Sequence, residues 1–203
     1  MVSYNTANPG YQGRMTSPQP RKRDAQATKA RILEAAQSVF ARTSYADAGI
    51  REIAARAGVS TTLLLQYFGS KAGLYEEALN LLVPLGDVLQ TPRAQFGQAL
   101  AEALLHSGDQ KIRPTLMIPL AGGDSEAATI AARVMEERAI APLAAWLGPP
   151  NARARALEIA AMATGLVTYT AYLPLRAHTG QDIAHMAAWF AQNVQTIVDN
   201  GAD

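Results

Sequence analysis

Between Gly58 and Lys71 the chain gathers Ser60, Thr61, Thr62, Gln66, Tyr67, Ser70 and Lys71, a dense run of hydroxyls, one carboxamide and one cation. If the stretch from Thr61 to Phe68 is helical, Leu64 and Phe68 point one way and Thr61, Thr62, Leu65 and Gln66 the other. Thr hydroxyls and a Gln amide can exchange hydrogen bonds with base edges in a major groove, and a Leu can sit beside a thymine methyl. Lys71 follows Ser70, a good N-cap, so the cation falls in the first turn of the next helix and opposes that helix's dipole. A phosphate there would remove the conflict, meeting Lys71, the Ser70 hydroxyl and free backbone N–H groups together. Tyr67 either offers its hydroxyl to a neighbouring phosphate or packs in part on the core.

Two helices meeting at a steep corner must hold these groups. Such a corner needs a small residue at the crossing, a residue tolerant of positive φ, an apolar plug and a cap for the second helix. Ala54, Gly58, Val59 and Ser60 supply these in order. Upstream, Ile32, Leu33, Ala36, Val39 and Phe40 recur at helical spacing and predict a first helix over about 25–42. A second short helix carries Ile50, Ile53, Ala54 and Ala57, and a fourth runs from Lys71 towards Val83. Residues 1–24 have no apolar period and are expected to be disordered. They contain Arg21-Lys22-Arg23, either a solvated tail end or an arm that tracks phosphates or a minor groove.

Composition narrows the class. Of 203 residues 49% are hydrophobic and only 6% aromatic, with Ala and Leu abundant, so one or two all-α domains are expected. The absence of Cys excludes disulfides, thiolate metal sites and a cysteine nucleophile. Residues 1–71 carry ten Lys or Arg against four Asp or Glu, a net of +6, while 72–203 carry eight against thirteen, a net of −5. A basic head on an acidic body suggests a polyanion bound at one end. No apolar run is long enough for a bilayer and no secretory signal is visible, so a cytoplasmic protein without membrane contact is expected.

Beyond Pro92, helices are expected at about 92–107, 111–121, 125–147, 151–174 and 181–199. The 151–174 helix is apolar or small on nearly every side, with Ala160, Ala161, Thr164, Gly165 and Thr168 forming a small-residue stripe. A helix buried all round needs two partners, so the pair 151–174 and 181–199 is expected to form an isologous homodimer contact. A Met and aromatic set, Phe96, Leu100, Met117, Met135, Trp146, Met162, Tyr169 and Tyr172, is either core or the lining of an effector pocket, with Thr164 and Thr168 as polar anchors. His106, His178 and His185 share no ligand spacing, so no metal and no cofactor are expected.

The series Tyr45-x-x-x-x-Ile50-Arg51-Glu52-Ile53-Ala54-x-x-Ala57-Gly58-Val59-Ser60-x-x-x-Leu64-x-x-Tyr67-Phe68-x-Ser70-Lys71-x-x-Leu74 resembles the N-terminal domain of TetR-family regulators. More weakly, Ala139 to Leu143 and Gly165 to Leu175 look like one version of that family's C-terminal domain. The resemblance implies an all-α homodimer; after the disordered basic arm (1–24) that composition predicts, it gives a three-helix helix-turn-helix DNA-binding domain (25–71) and a larger helical dimerisation and ligand-binding domain (72–203). It implies base or groove contacts from Thr61, Thr62, Leu65 and Gln66 and phosphate contacts from Thr28, Tyr67 and Lys71; Arg51 and Ser60 complete the expected DNA-binding set. It also implies an apolar small-molecule effector, for which Phe96, Met117, Trp146, Met162, Thr168, Tyr169 and Tyr172 are the candidates. Leu63 and Leu65 make the reading face less polar than is usual in the family. The function expected is a repressor released from a palindromic operator, and not an enzyme. A helical-bundle enzyme with an incidental corner, an effector-independent DNA-binding protein, and activation instead of repression stay open as alternatives.

Overall fold

The computed structural model describes residues 20–80, 85–105, 117–173 and 179–200, with the side chains of 20–23, 171 and 172 outside that description. Helix α1 (Pro20–Phe40) begins on a proline, whose fixed φ suits a first helical turn. It starts five residues before the expected boundary, so the basic run Arg21-Lys22-Arg23 is helical backbone and not a disordered arm. An apolar period reports only the packed part of a helix, and the helix propagates outward from it through good formers such as Arg and Lys. Residues 1–19 of the expected arm lie outside the described residues.

Helix α2 (Ile50–Ala57) ends where Gly58 takes φ 65° and ψ 38°. The Gly58 N–H donates to the Ala55 carbonyl and the Val59 N–H to the Ala54 carbonyl, a Schellman closure that only a residue at ease in the left-handed region completes without strain. The Ser60 hydroxyl then accepts from the Leu63 N–H at 3.1 Å and caps α3 (Thr61–Phe68). Ser70 repeats the device for α4 (Lys71–Leu79), accepting from the Gly73 N–H at 3.0 Å. Ile32, Ala36 and Phe40 of α1, Ile53 of α2, Leu64 of α3 and Leu74 and Tyr75 of α4 meet in one buried core.

That core does not end with the four N-terminal helices. Met117 and Ala121 of α7 (Met117–Ala121) and Ala127, Ala131 and Val134 of α8 (Ser125–Met135) belong to it, and α4 packs on both α1 and α8. Short helix α5 (Leu85–Val88) leads to a 3-10 turn at Arg93–Gln95 and to α6 (Phe96–Leu105). The expected helix 125–147 is present but interrupted: α8 passes through a π-helical turn, Glu136–Ile140, into α9 (Ala141–Leu147). Helix α10 (Ala152–Val167) likewise ends in a π-helical turn, Thr168–Tyr172, and α11 (Gly180–Asp199) starts on a Thr179/Asp182 capping box. No strand occurs among the described residues, so the protein is all-α as expected.

A second core joins α6, α9, α10 and α11 around Phe96, Leu143, Ile159, Phe190 and Val194. Helices α6 and α11 touch backbone to backbone: a Cβ on Gly97 would fall 2.1 Å from the Ala191 carbonyl oxygen, so only glycine fits. Two arginines close this body from inside. Arg155, 6% exposed, donates to the carbonyls of Leu147, Gly148, Pro150 and Ile197, and Arg93 donates to those of Trp146 and Leu147. The last carbonyls of α9 and α11 carry partial negative charge, so these cations satisfy orphan acceptors and helix dipoles together.

Candidate nucleic-acid interface and internal cavity

Helix α3 is anchored by Leu64, fully buried, and Phe68, each side chain contributing about 1.5–3 kcal/mol through burial. The opposite face presents Thr62, Leu65 and Gln66 to solvent, with Thr61 and Tyr67 half-buried beside them. Among the described residues the side chains of Thr61, Thr62 and Gln66 make no hydrogen bond, so their donors and acceptors stand available. Leu65 is 37% exposed, a large apolar side chain standing in solvent on this face. Arg51 is exposed in the first turn of α2. The Tyr67 ring packs on the first core and tilts against Phe68 at 6.2 Å between centroids.

Three of the expected DNA contacts have partners of their own. Ser60 uses its oxygen as the α3 cap. Thr28 donates its single hydroxyl proton to the Asp24 carbonyl at 2.8 Å within α1, so donating it to a phosphate requires that bond to break. Lys71 Nζ donates to the Ala46 carbonyl at 3.0 Å and stands 4.7 Å from the centroid of the Tyr45 ring. The conflict between this cation and the α4 dipole is therefore relieved within the fold, by a carbonyl and a ring face 25 or more residues upstream. The ammonium keeps two further N–H donors for an external acceptor.

The same region is tied to the body. Tyr45 donates to Glu126 of α8 at 3.0 Å and Tyr75 donates to the Met117 carbonyl at 3.2 Å. Arg133 of α8 forms a two-bond pair with Glu76 of α4 at 2.8 and 2.6 Å. Burial, and then the hydrogen bond to Glu126, pushes the Tyr45 phenol well above its ordinary 10.0. Burial, with a smaller contribution from the Asp124 charge, pushes Tyr75 up to about 12. The Arg133 partner holds the Glu76 carboxyl below its ordinary 4.5.

A cavity of about 270 Å³ opens between the two cores, lined by Leu100, Leu104, Ile118, Met135, Leu143, Ile159, Ala160 and Ala163, with Asn80, Arg138 and Thr164 as polar members. Leu100, Met135 and Thr164 are among the expected lining, whereas the effector candidates Phe96, Met117, Trp146, Met162, Thr168 and Tyr169 are not part of it. Phe96 is fully buried and stacks on Trp146 at 4.5 Å, with the Arg93 guanidinium 4.7 Å from the Trp146 ring. Met117 is fully buried in the first core, and Met162 packs against the second. Thr168 donates to the Thr164 carbonyl, Tyr169 is 52% exposed, and the Tyr172 side chain lies outside the described residues. Helical spacing marks which residues face inward but not where neighbouring helices leave a gap. Arg138 and Asn80 escaped the sequence reading. The available signal was a cation continuing the apolar stripe Ala127, Ala131 and Val134 at helical spacing.

Known families account for most of the chain. The model for bacterial regulatory proteins of the tetR family matches residues 32–78, and that for the tetracyclin repressor-like C-terminal domain matches 94–198, just over half of the sequence. The chain belongs to the TetR family. The TetR-family N-terminal match spans the corner and α3, and the C-terminal match spans α6 to α11. An HTH-type transcriptional repressor, SCO4008 of Streptomyces coelicolor, is 47% identical over 57 residues, which are 28% of this chain and 30% of that protein. HTH-type transcriptional regulator BetI 1 of Chromohalobacter salexigens is 42% identical over 65 residues, 32% of each. The match thus spans under a third of either relative's length. Among TetR-type folds, NalD of Pseudomonas aeruginosa, the secondary repressor of the MexAB-OprM multidrug efflux pump, superposes with TM-score 0.62 at 20% identity, covering 84% of this chain and 96% of its own. The TetR-family regulator SCO0857 of Streptomyces coelicolor superposes with TM-score 0.53 at 24% identity, covering 91% and 99%. Both likenesses are of fold.

Proposed function

We propose that this TetR-family chain is a sequence-specific DNA-binding transcriptional regulator, a homodimer that represses by occupying a palindromic operator and is released by a small-molecule effector. The observation that carries this reading is the face of α3. Thr62, Leu65 and Gln66 stand in solvent on a short helix whose other side is clamped by Leu64 and Phe68. One such helix covers few base pairs; two of them about 34 Å apart read both halves of a palindrome. Leu157 of α10, Tyr169 in the π-helical turn after it, Leu173 beyond that turn and Trp189 of α11 are 37% to 53% exposed, which supports an isologous contact there.

The path from cavity to DNA supports effector control. Helix α4 carries Lys71 at its start and is capped by Asn80, on the cavity wall, at its end. At 1.5 Å per residue the two ends are only about 14 Å apart. Helix α8 holds Glu76 and Tyr45 through Arg133 and Glu126 and runs directly into the turn that lines the cavity. A ligand that binds two arrangements of α4 and α8 unequally shifts the spacing of the two α3 helices and so the affinity for DNA.

Selection of DNA from a random pool by the ligand-free chain tests the reading. A two-fold symmetric site is expected, and Thr62→Ala should change the preference at particular positions of that site. Failure to enrich any sequence, or a Thr62→Ala loss equal on all sequences, refutes it.

A further inference from the structure

Within the body, the arginines on α8, its π-helical turn and α10 are not equivalent. Arg133 is engaged by Glu76 and, at 4.0 Å, by Glu137, and Arg153 is engaged by Glu136. Arg138 stands between them in sequence with no ion pair and no side-chain hydrogen bond among the described residues. The carboxylates on its own turn are already committed to other cations. Yet Arg138 lies on the rim of the 270 Å³ cavity, whose wall is otherwise largely aliphatic.

The backbone places it there. In the π-helical turn the Ala141 N–H reaches back to the Glu136 carbonyl, and three consecutive residues, Arg138, Ala139 and Ile140, line the wall. Single π-turns inserted in α-helices recur at functional sites. Asn80, half-buried at the end of α4, adds an amide that can donate to an anion.

We propose that this cavity takes an amphipathic monocarboxylate with an apolar body, its head held by Arg138 and Asn80 and its body by Leu100, Leu104, Leu143 and Ile159; this rests on the effector reading above. Guanidinium and carboxylate form charge-assisted, frequently two-pronged hydrogen bonds. One unpaired cation flanked in sequence by Glu136 and Glu137 suits a single negative charge and disfavours a dianion. At about 30 Å³ of liquid volume per water-sized group, the cavity holds roughly nine such groups, close to a chain of eight carbons with its head.

Octanoate, 1-octanol and octylammonium, titrated calorimetrically into the full-length chain without DNA, differ in little but the head. Octanoate is expected to bind at least tenfold tighter than 1-octanol, and octylammonium more weakly than either. Arg138→Gln should bring octanoate down to the affinity of 1-octanol, and Arg138→Lys should restore part of the difference. Because Arg138 is exposed, both variants should fold, and a thermal melt checks this. Equal affinity for octanoate and 1-octanol, a preference indifferent to Arg138→Gln, or binding of none of the three overturns the proposal. The DNA selection is run on ligand-free wild-type chain, so failure there counts against the regulator reading and failure of head-group preference against this one.

Discussion

Replacing Lys71 by Met separates the internal tie seen in the fold from the phosphate contact proposed for the same ammonium. Met keeps most of the aliphatic stem and removes the charge, so packing over Tyr45 is largely retained. The variant loses the 3.0 Å bond to the Ala46 carbonyl and the ammonium 4.7 Å from the Tyr45 ring. For a half-exposed site these are together worth about 1–2 kcal/mol. In a chain of this length each kcal/mol moves the melting temperature by about 2–4 °C, so a fall of about 2–8 °C is expected in the free protein. Phosphate binding is read separately. Each phosphate contact contributes about 0.9 to the slope of log affinity against log salt, and a dimer loses two, so the slope should fall by about 1.8. Between 50 and 200 mM salt the variant should therefore lose about twelvefold less affinity than wild type. Calorimetric melting of the free chain and fluorescence-anisotropy titrations on the selected operator at four salt concentrations measure both. A lower melting temperature with an unchanged salt slope refutes the phosphate contact and leaves Lys71 a purely internal tie. An unchanged melting temperature refutes the claim that the fold itself relieves the α4 dipole conflict.

Two further expectations concern the core. Tyr75 ionises near 12 in the folded chain against an ordinary 10.0, and Tyr45 is raised as well, so stability is complete below pH 10 and is lost as the pH climbs towards 12. For Tyr75 the full loss is about 2–3 kcal/mol. Tyr75→Phe should cost about 1 kcal/mol at pH 7 by leaving the Met117 carbonyl short of its donor, while flattening the alkaline decline; denaturant melts from pH 8 to 11 that stay parallel to wild type would contradict this. Arg155→Met should destabilise by about 2–4 kcal/mol, because the carbonyls of Leu147, Gly148 and Ile197 lose a buried donor and neither helix end can recruit water without opening the second core. A thermal melt within 2 °C of wild type would show those carbonyls to be otherwise satisfied.

Much of the corner was legible because its instructions are local. Gly58 in the left-handed region and the Ser60 and Ser70 caps each act within five residues of the groups they satisfy, and the inward pair Leu64 and Phe68 shows in its i, i+4 spacing. The helix boundaries near 125, 147 and 199 were legible for the same reason, set by Asp124, Gly148 and the end of an apolar stripe. Where the backbone does something that an apolar period does not report, the sequence misled. Arg21 to Arg23 has no apolar period yet continues α1, and residues 136–140 keep a helical pattern while the backbone changes to a π-turn.

For the candidate sites the division is sharper. Sequence alone determined the class, the corner and which residues of α3 face away from the core, since 3.6-residue periodicity fixes faces. Tertiary structure alone decided what those faces meet. The Lys71 bond to Ala46 spans 25 residues and the Tyr45 bond to Glu126 spans 81, and nothing in either neighbourhood specifies such a partner. The cavity is the strongest case. It is a gap between two cores, defined by the distances among α4, α6, α9 and α10, and a gap has no residue of its own to announce it. Aromatic and Met side chains such as Phe96 and Met117 therefore filled the interior as packing, while the lining fell to residues such as Ala160, Ala163 and Arg138.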